Sequence, residues 1–197
     1  FAVGAAIAAK FLAEHLGWVM SQTIYAYISD GGIQEEISQG AGRVAGHLGL
    51  DNLIMYYDAN NIQLSTKVDE VDSEDVAAKY RAWGWKVLSI DGCDSDAIRA
   101  ALTEAKATVG QPTLIIGRTI MGRGAVAADG SSFEDKVSTH GQPLSAAGAD
   151  FAATVRHLGG DPEDPFRIFP DVQALYDARL SELRQLAAAR REEEARW

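Results

Sequence analysis

The chain has 197 residues, 47% of them hydrophobic, which is enough for a packed core and too apolar for a disordered segment. A formal charge of −10 argues against the basic stripe of a nucleic-acid surface, though not against a phosphorylated ligand whose charge a divalent cation neutralises. The single cysteine, Cys93, excludes an internal disulfide and suits a reducing, cytoplasmic setting.

Residues 1–16 read as a helix ended by Gly17. A first residue of Phe1 rather than Met points to a fragment or a processed form. The apolar start has some of the character of a signal peptide. Lys10, Glu14 and His15 interrupt it and make it too polar and too short to cross a bilayer, so a buried or half-buried helix is expected. Thr23 to Ile28 reads as a strand. Ile33, Ile37, Ala41, Val44 and Leu48 then recur at helical spacing, which predicts one helix with those residues on its buried face. Gly40, Gly42 and Gly46 cost that helix about 1 kcal/mol each against Ala, so close approach to another helix or to the sheet is expected to offset them.

Leu53 to Tyr57 is the second expected strand. Asp72 or Ser73 is placed to cap a helix running to about Trp83, and Trp85 to Ile90 makes a third strand stopped by Asp91-Gly92. Asp94 opens a helix with Ala97, Ile98, Ala101, Leu102 and Ala105 on one side, and Thr113 to Gly117 is a fourth strand. Strands alternating with helices imply right-handed βαβ crossovers. The expected fold class is therefore α/β, a parallel sheet flanked by helices on both faces. Met121 to Ser138 reads as a long loop, of the length that is usually functional or disordered. Leu144 to Leu158 returns to helix, Asp161 to Pro165 is a turn-rich connector, and Val172 to about Glu194 is a long helix with Leu175, Tyr176, Leu183 and Leu186 on its apolar side.

Chemistry concentrates after the first two strands. Ser29-Asp30-Gly31-Gly32 follows one apolar run, and Asp58-Ala59-Asn60-Asn61-Ile62 follows the next. Neighbouring parallel strands deliver both pieces to one edge of the sheet, where a carboxylate and a carboxamide suit a hard cation carrying a diphosphate. Gly31 and Gly32 let a phosphate approach the backbone, and a helix expected to start at Ile33 would turn its free N–H groups toward the same side. Of four histidines, His15, His47 and His157 fall in or near helix ends and read as structural. His140 stands outside any periodic segment, in Ser138-Thr139-His140-Gly141.

These two pieces resemble the thiamine diphosphate signature, an Asp in a Gly-Asp-Gly turn and an Asn pair about thirty residues on. The text around them is similar to transketolase: Ile33-Gln34-Glu35-Glu36-Ile37-Ser38, Ala45-Gly46-His47-Leu48, Trp83-Gly84-Trp85-Lys86-Val87, Pro112-Thr113-Leu114-Ile115 and His140-Gly141-Gln142-Pro143-Leu144 fall in family order. The resemblance runs over almost the whole chain and implies a thiamine diphosphate-binding fold. It implies residues 1–160 as the diphosphate-binding domain and 161–197 as a helical extension toward a pyrimidine-binding domain. It implies that Asp30, Asn60 and the Ile62 carbonyl hold Mg²⁺, or Ca²⁺ in the same site, and that Gly31 lies against the diphosphate. Leu64 and Met121 match positions that pack on the thiazolium ring. His140 matches the histidine that contacts the diphosphate and the donor sugar, a catalytic position.

The implied activity is transfer of a two-carbon ketol unit between sugar phosphates, in a homodimer or with a partner chain carrying the missing domain. Other thiamine diphosphate enzymes, of the deoxyxylulose phosphate synthase or pyruvate dehydrogenase type, and a non-catalytic dimerisation module remain alternatives. Two departures bear on this. Ser29 stands for the first glycine of Gly-Asp-Gly, and Gly40 stands where the family has an interface glutamate. A positive φ at position 29 would make its side chain costly.

Overall fold

The computed structural model describes all 197 residues. Four strands, β1 (Ile24–Ser29), β2 (Leu53–Ala59), β3 (Lys86–Asp91) and β4 (Thr113–Arg118), form one sheet in the order β1-β2-β4-β3. Every pairing is parallel, as the alternation of strands and helices requires. The register sets Ser29 beside Asp58 and Asp58 beside Gly117, so the carboxyl ends of the three strands finish level.

Helices cover both faces. On one face α1 (Ala2–Leu16), α3 (Glu36–His47) and α4 (Val76–Ala82) pack over β2 and β4, with Ala6, Ala45 and Tyr80 against Leu53, Met55, Tyr57, Leu114 and Ile116. On the other face α5 (Ser95–Lys106) sets Ala101 and Ala105 against Ile54 and Ile115. α1 is therefore a half-buried helix, and no helix is long and apolar enough to cross a membrane. Asp94 caps α5 through the N–H groups of Asp96 and Ala97, as its sequence position predicts. The cap of α4 is Asp75, which accepts from Ala78 N–H, rather than Asp72 or Ser73.

Two expected segments differ. The helix predicted across Ile33 to Leu48 is two, α2 (Asp30–Gln34) and α3, separated by the extended Glu35 at φ −63° and ψ 129°. Its buried side also differs. Ile33 is buried, but Ile37, Val44 and Leu48 are exposed, and the inward face of α3 carries Gly42 and Ala45. Those small residues admit the aromatic wall of Tyr80, Trp83 and Trp85, and Trp85 Nε1–H donates to the Gly42 carbonyl at 2.8 Å. A Cβ on Gly46 would lie 1.8 Å from the Trp83 carbonyl oxygen, whereas one on Gly40 would meet nothing within 4 Å. Close approach thus explains Gly42 and Gly46 and not Gly40.

The second difference lies in the segment 144–158, which forms α6 (Leu144–Ala147) and α7 (Phe151–His157). Gly148 divides them, at φ 115°, where only glycine is comfortable. The segment 121–138 is a long loop, as expected, and it has a packed interior. Ala125 and Val126 are buried, Val126 N–H donates to Thr154 Oγ1 at 3.1 Å, and Gly124 N–H donates to Glu134 at 2.7 Å. The final helix, α8 (Pro170–Arg196), runs 27 residues without one that is buried.

Candidate functional site

Asp30 is the first residue of α2, at the carboxyl end of β1, and it is only 2% exposed. A buried carboxylate needs donors, and it has two. Tyr57 O–H donates to Oδ1 at 2.7 Å, and Asn60 N–H donates to Oδ2 at 3.1 Å. Burial pushes the Asp30 carboxyl above its ordinary range. The hydrogen bonds from Tyr57 and Asn60 oppose that shift, and the nearby Asp58 charge adds to it. The Tyr57 hydroxyl is itself pushed well up, first by its own burial and then by the carboxylate it serves.

The two asparagines have separate roles. Asn60 Oδ1 accepts from Ile62 N–H at 3.0 Å, folding the loop back on itself just beyond β2. Asn61 adopts φ 63°, a left-handed conformation that asparagine tolerates better than most residues. Its amide donates to Asp69 at 3.1 Å and its Oδ1 accepts from Asp69 N–H at 3.2 Å, which ties down the turn that follows. Asp30, Asn60 and Ile62 are therefore linked by hydrogen bonds at one edge of the sheet. No backbone N–H is donated to the Ile62 carbonyl, which leaves that oxygen available to a cation.

Gly31 sits beside Asp30, and a Cβ there would meet nothing within 4 Å, whereas a Cβ on Gly32 would come within 2.9 Å of Ile28. Gly32 is explained by packing, and Gly31 keeps its backbone open. α2 starts at Asp30 rather than Ile33 and is only five residues long, so it gives little of the dipole expected of a long helix. Ser29 has φ −100° and ψ 176°, extended backbone that any residue adopts, so the serine there carries no backbone strain.

Leu64 lies in the turn between the bridged residues Ile62 and Lys67 and is 80% exposed, so it is not a core residue. Met121 is partly buried at the start of the long loop, and its carbonyl accepts from Asp135 N–H at 2.9 Å. The Lys67–Asp135 ion pair, at 2.8 Å, ties the Leu64 turn to that loop. His140 ends the loop after a short 3₁₀ turn, Val137–Thr139, and no hydrogen bond links it to Asp30 or Asn60. Its Nδ1 is buried with no hydrogen-bond partner. An orphaned buried nitrogen of this kind fits a site completed by a further polar group.

Two site-edge residues escaped sequence reasoning. Tyr57 read as the last residue of an apolar strand, and only its partner across the sheet reveals the hydroxyl's use. Asp58 points to the opposite face, where it accepts from Tyr27 O–H at 2.5 Å and from the Thr119 hydroxyl. It clamps three strand ends together, and burial with the Asp58 hydrogen bond pushes the Tyr27 hydroxyl up to about 12.

An open cavity of about 380 Å³ lies over this edge, lined among others by Asp30, Tyr57, Asn60, Asn61, Arg118 and Thr119. No group of three or more His, Cys, Asp or Glu side chains is placed to hold a metal by itself. One carboxylate, one carboxamide and one carbonyl form an all-oxygen set that suits a hard cation sharing its coordination with a ligand's own oxygens.

A parallel α/β sheet with oxygen donors gathered at its carboxyl edge is an arrangement in which open α/β folds bind ligands. The sequence matches the family described as "Transketolase, thiamine diphosphate binding domain" over residues 1–197. A relative named transketolase 2, from Xanthobacter flavus, is 37% identical over 185 residues, covering 91% of this chain and 26% of the relative. The solved transketolase of Leishmania mexicana superposes with a TM-score of 0.87 at 31% identity, over 97% of this chain and 28% of that one. That of Pichia stipitis, in complex with sedoheptulose-7-phosphate, gives 0.83 at 32% identity, again over 97% and 28%. The chain belongs to the transketolase family, as its thiamine diphosphate-binding domain. It spans about a quarter of the length of the relatives it matches.

Proposed function

We propose that this chain is the diphosphate-anchoring part of a cytoplasmic transketolase that moves a two-carbon ketol unit between ketose and aldose phosphates. The observation that carries the reading is the Asp30–Asn60–Ile62 cluster at the carboxyl edge of a parallel sheet, beside an open Gly31. In this reading Asp30, Asn60 and the Ile62 carbonyl hold Mg²⁺, or Ca²⁺ in its place, and Gly31 admits the diphosphate to the backbone. Leu64 and Met121 lie along the thiazolium ring. His140, with its unpartnered Nδ1, orients the diphosphate and the donor sugar. Thiamine diphosphate, when bound, supplies the nucleophilic carbon and the electron sink for breaking the ketose. The residues of this chain bind and orient. Sugar phosphates as substrates accord with the Pichia stipitis relative solved with sedoheptulose-7-phosphate.

The reading includes a partner, either a second copy or a chain carrying a pyrimidine-binding domain, with 161–197 leading toward that domain. The glycine face of α3 is already used against Tyr80 and Trp83, so the side offered to a partner is the exposed one with Ile37, Val44 and Leu48. This chain by itself is expected to have no ketol-transfer activity.

Calorimetric titration with thiamine diphosphate, with and without Mg²⁺, tests the reading. Binding should require the metal, and Asp30→Ala should weaken it by at least the roughly 10–100-fold typical of groups that only support metal ligands. Unchanged Mg²⁺-dependent affinity in Asp30→Ala would sink the assignment.

A further inference from the structure

The residues proposed to hold the metal bring one formal negative charge, from Asp30, and a diphosphate brings more. The metal alone leaves outer phosphoryl oxygens to be met by something else. Among the residues lining the cavity over Asp30 and Asn60, the only basic side chain is Arg118.

Its position is set by the sheet. β4 alternates, and Leu114 and Ile116 pack into the core beside Tyr57, so Arg118, two residues on, continues along the Tyr57 and Asp30 face. Its backbone is held on both sides. Thr119 N–H donates to the Ala59 carbonyl at 3.2 Å, and Gly92 N–H donates to the Arg118 carbonyl at 2.8 Å. The guanidinium, by contrast, is exposed and has no ion pair or hydrogen bond, although Asp91 is its register partner on β3. The neighbouring cations are engaged, Lys67 with Asp135 and Arg123 with the Cys93 carbonyl. A fixed base and a free planar fork, on the rim of a site built for oxygen anions, suit bidentate contact with a phosphoryl group.

Resting on the function proposed above, we propose that Arg118 is an anion-binding residue of this site, gripping phosphoryl oxygens of the diphosphate that the metal leaves free. The source is the diphosphate rather than the phosphate ester of a sugar, because Arg118 shares its cavity with Asp30 and Asn60.

The test titrates the full 197-residue chain with inorganic pyrophosphate in Mg²⁺, by calorimetry, for the parent, R118A, R118K and D30A. Arg118 is exposed, so both of its variants should melt with the parent. R118A is expected to weaken binding roughly 10–100-fold, the scale of a charge-assisted hydrogen bond, with a shallower salt dependence. R118K should fall between, keeping the charge and losing the fork. Parent-like affinity in R118A, with binding lost in D30A, would overturn the role of Arg118 and leave the metal–diphosphate reading standing. A parent that binds no Mg²⁺–pyrophosphate would overturn both. A second arm titrates ribose 5-phosphate. A defect of R118A confined to that arm would overturn the assignment to the diphosphate.

Discussion

The carboxyl edge of the sheet and helix α8 stand at opposite extremes of self-sufficiency. At the edge, a carboxylate 2% exposed has each oxygen held by a donor from a different part of the β2 region, and Asp58 clamps β1 to the end of β4. In α8, none of the 27 residues is buried, and Leu175, Tyr176, Leu183 and Leu186 lie open. What fastens α8 is near its end: Arg190 stacks over Trp18 and donates to the Val19 carbonyl, and Trp197 Nε1–H donates to the Leu16 carbonyl at 2.8 Å. Both segments carry apolar residues at helical or strand spacing. One has found its partners within the chain, and the apolar side of the other has not. The metal–diphosphate site proposed above falls at the first, since such a site needs atoms that do not move.

The comparison can be broken most forcefully at His140. In the assembled enzyme, His140→Ala should lower turnover by about 10²–10⁴-fold while the melting temperature stays near the parent's, because His140 lies on a loop outside the core. Full turnover with a normal donor KM would return it to a structural loop residue.

Next comes Gly46→Ala. Alanine favours a helix over glycine by about 1 kcal/mol. The added Cβ would fall 1.8 Å from the Trp83 carbonyl oxygen, a backbone atom that cannot swing aside. Overpacking costs about 1–3 kcal/mol and sometimes more, so a net loss of stability is expected in chemical denaturation. A stabilised Gly46→Ala would mean that α3 and α4 slide apart easily and that the packed half is less rigid than its contacts imply.

A smaller effect is expected from pH. Burial raises the Asp30 pKa in the folded state, so folding favours the protonated form. The stability tied to that proton is full below the unfolded carboxylate pKa of about 4 and is lost as pH rises through the higher folded value. Asp30→Asn removes this dependence. The ligand-free variant should match the parent at acid pH and melt higher near neutrality, while losing metal-dependent cofactor binding. Parallel melting curves across pH would show that Tyr57 and Asn60 fully offset burial.

The smallest effect sharpens the other side. Leu183→Ala in α8 should shift the stability of the chain by no more than about 0.5 kcal/mol, the range for surface positions. A loss of several times that would show that α8 packs on something after all, and self-association measured by light scattering would then identify a second copy as the cover.

Sequence alone determined the elements whose signals are local. The four strands, the Asp94 cap and the meeting of Asp30 with Asn60 follow from apolar runs, capping chemistry and the fact that parallel strands end on one side. Tertiary structure decided which face each element buries. Ile37, Val44 and Leu48 had the right period for a core stripe, yet Gly42 and Gly46 face inward, because the aromatic wall of Tyr80, Trp83 and Trp85 leaves room only for small residues. Tyr57 and Arg118 became legible only once β2 and β4 were side by side. A hydroxyl or a guanidinium acquires its role from the partner it reaches or lacks, and those partners come from segments tens of residues away. Periodicity records that a face is apolar, whereas the space across from that face is set by the rest of the chain.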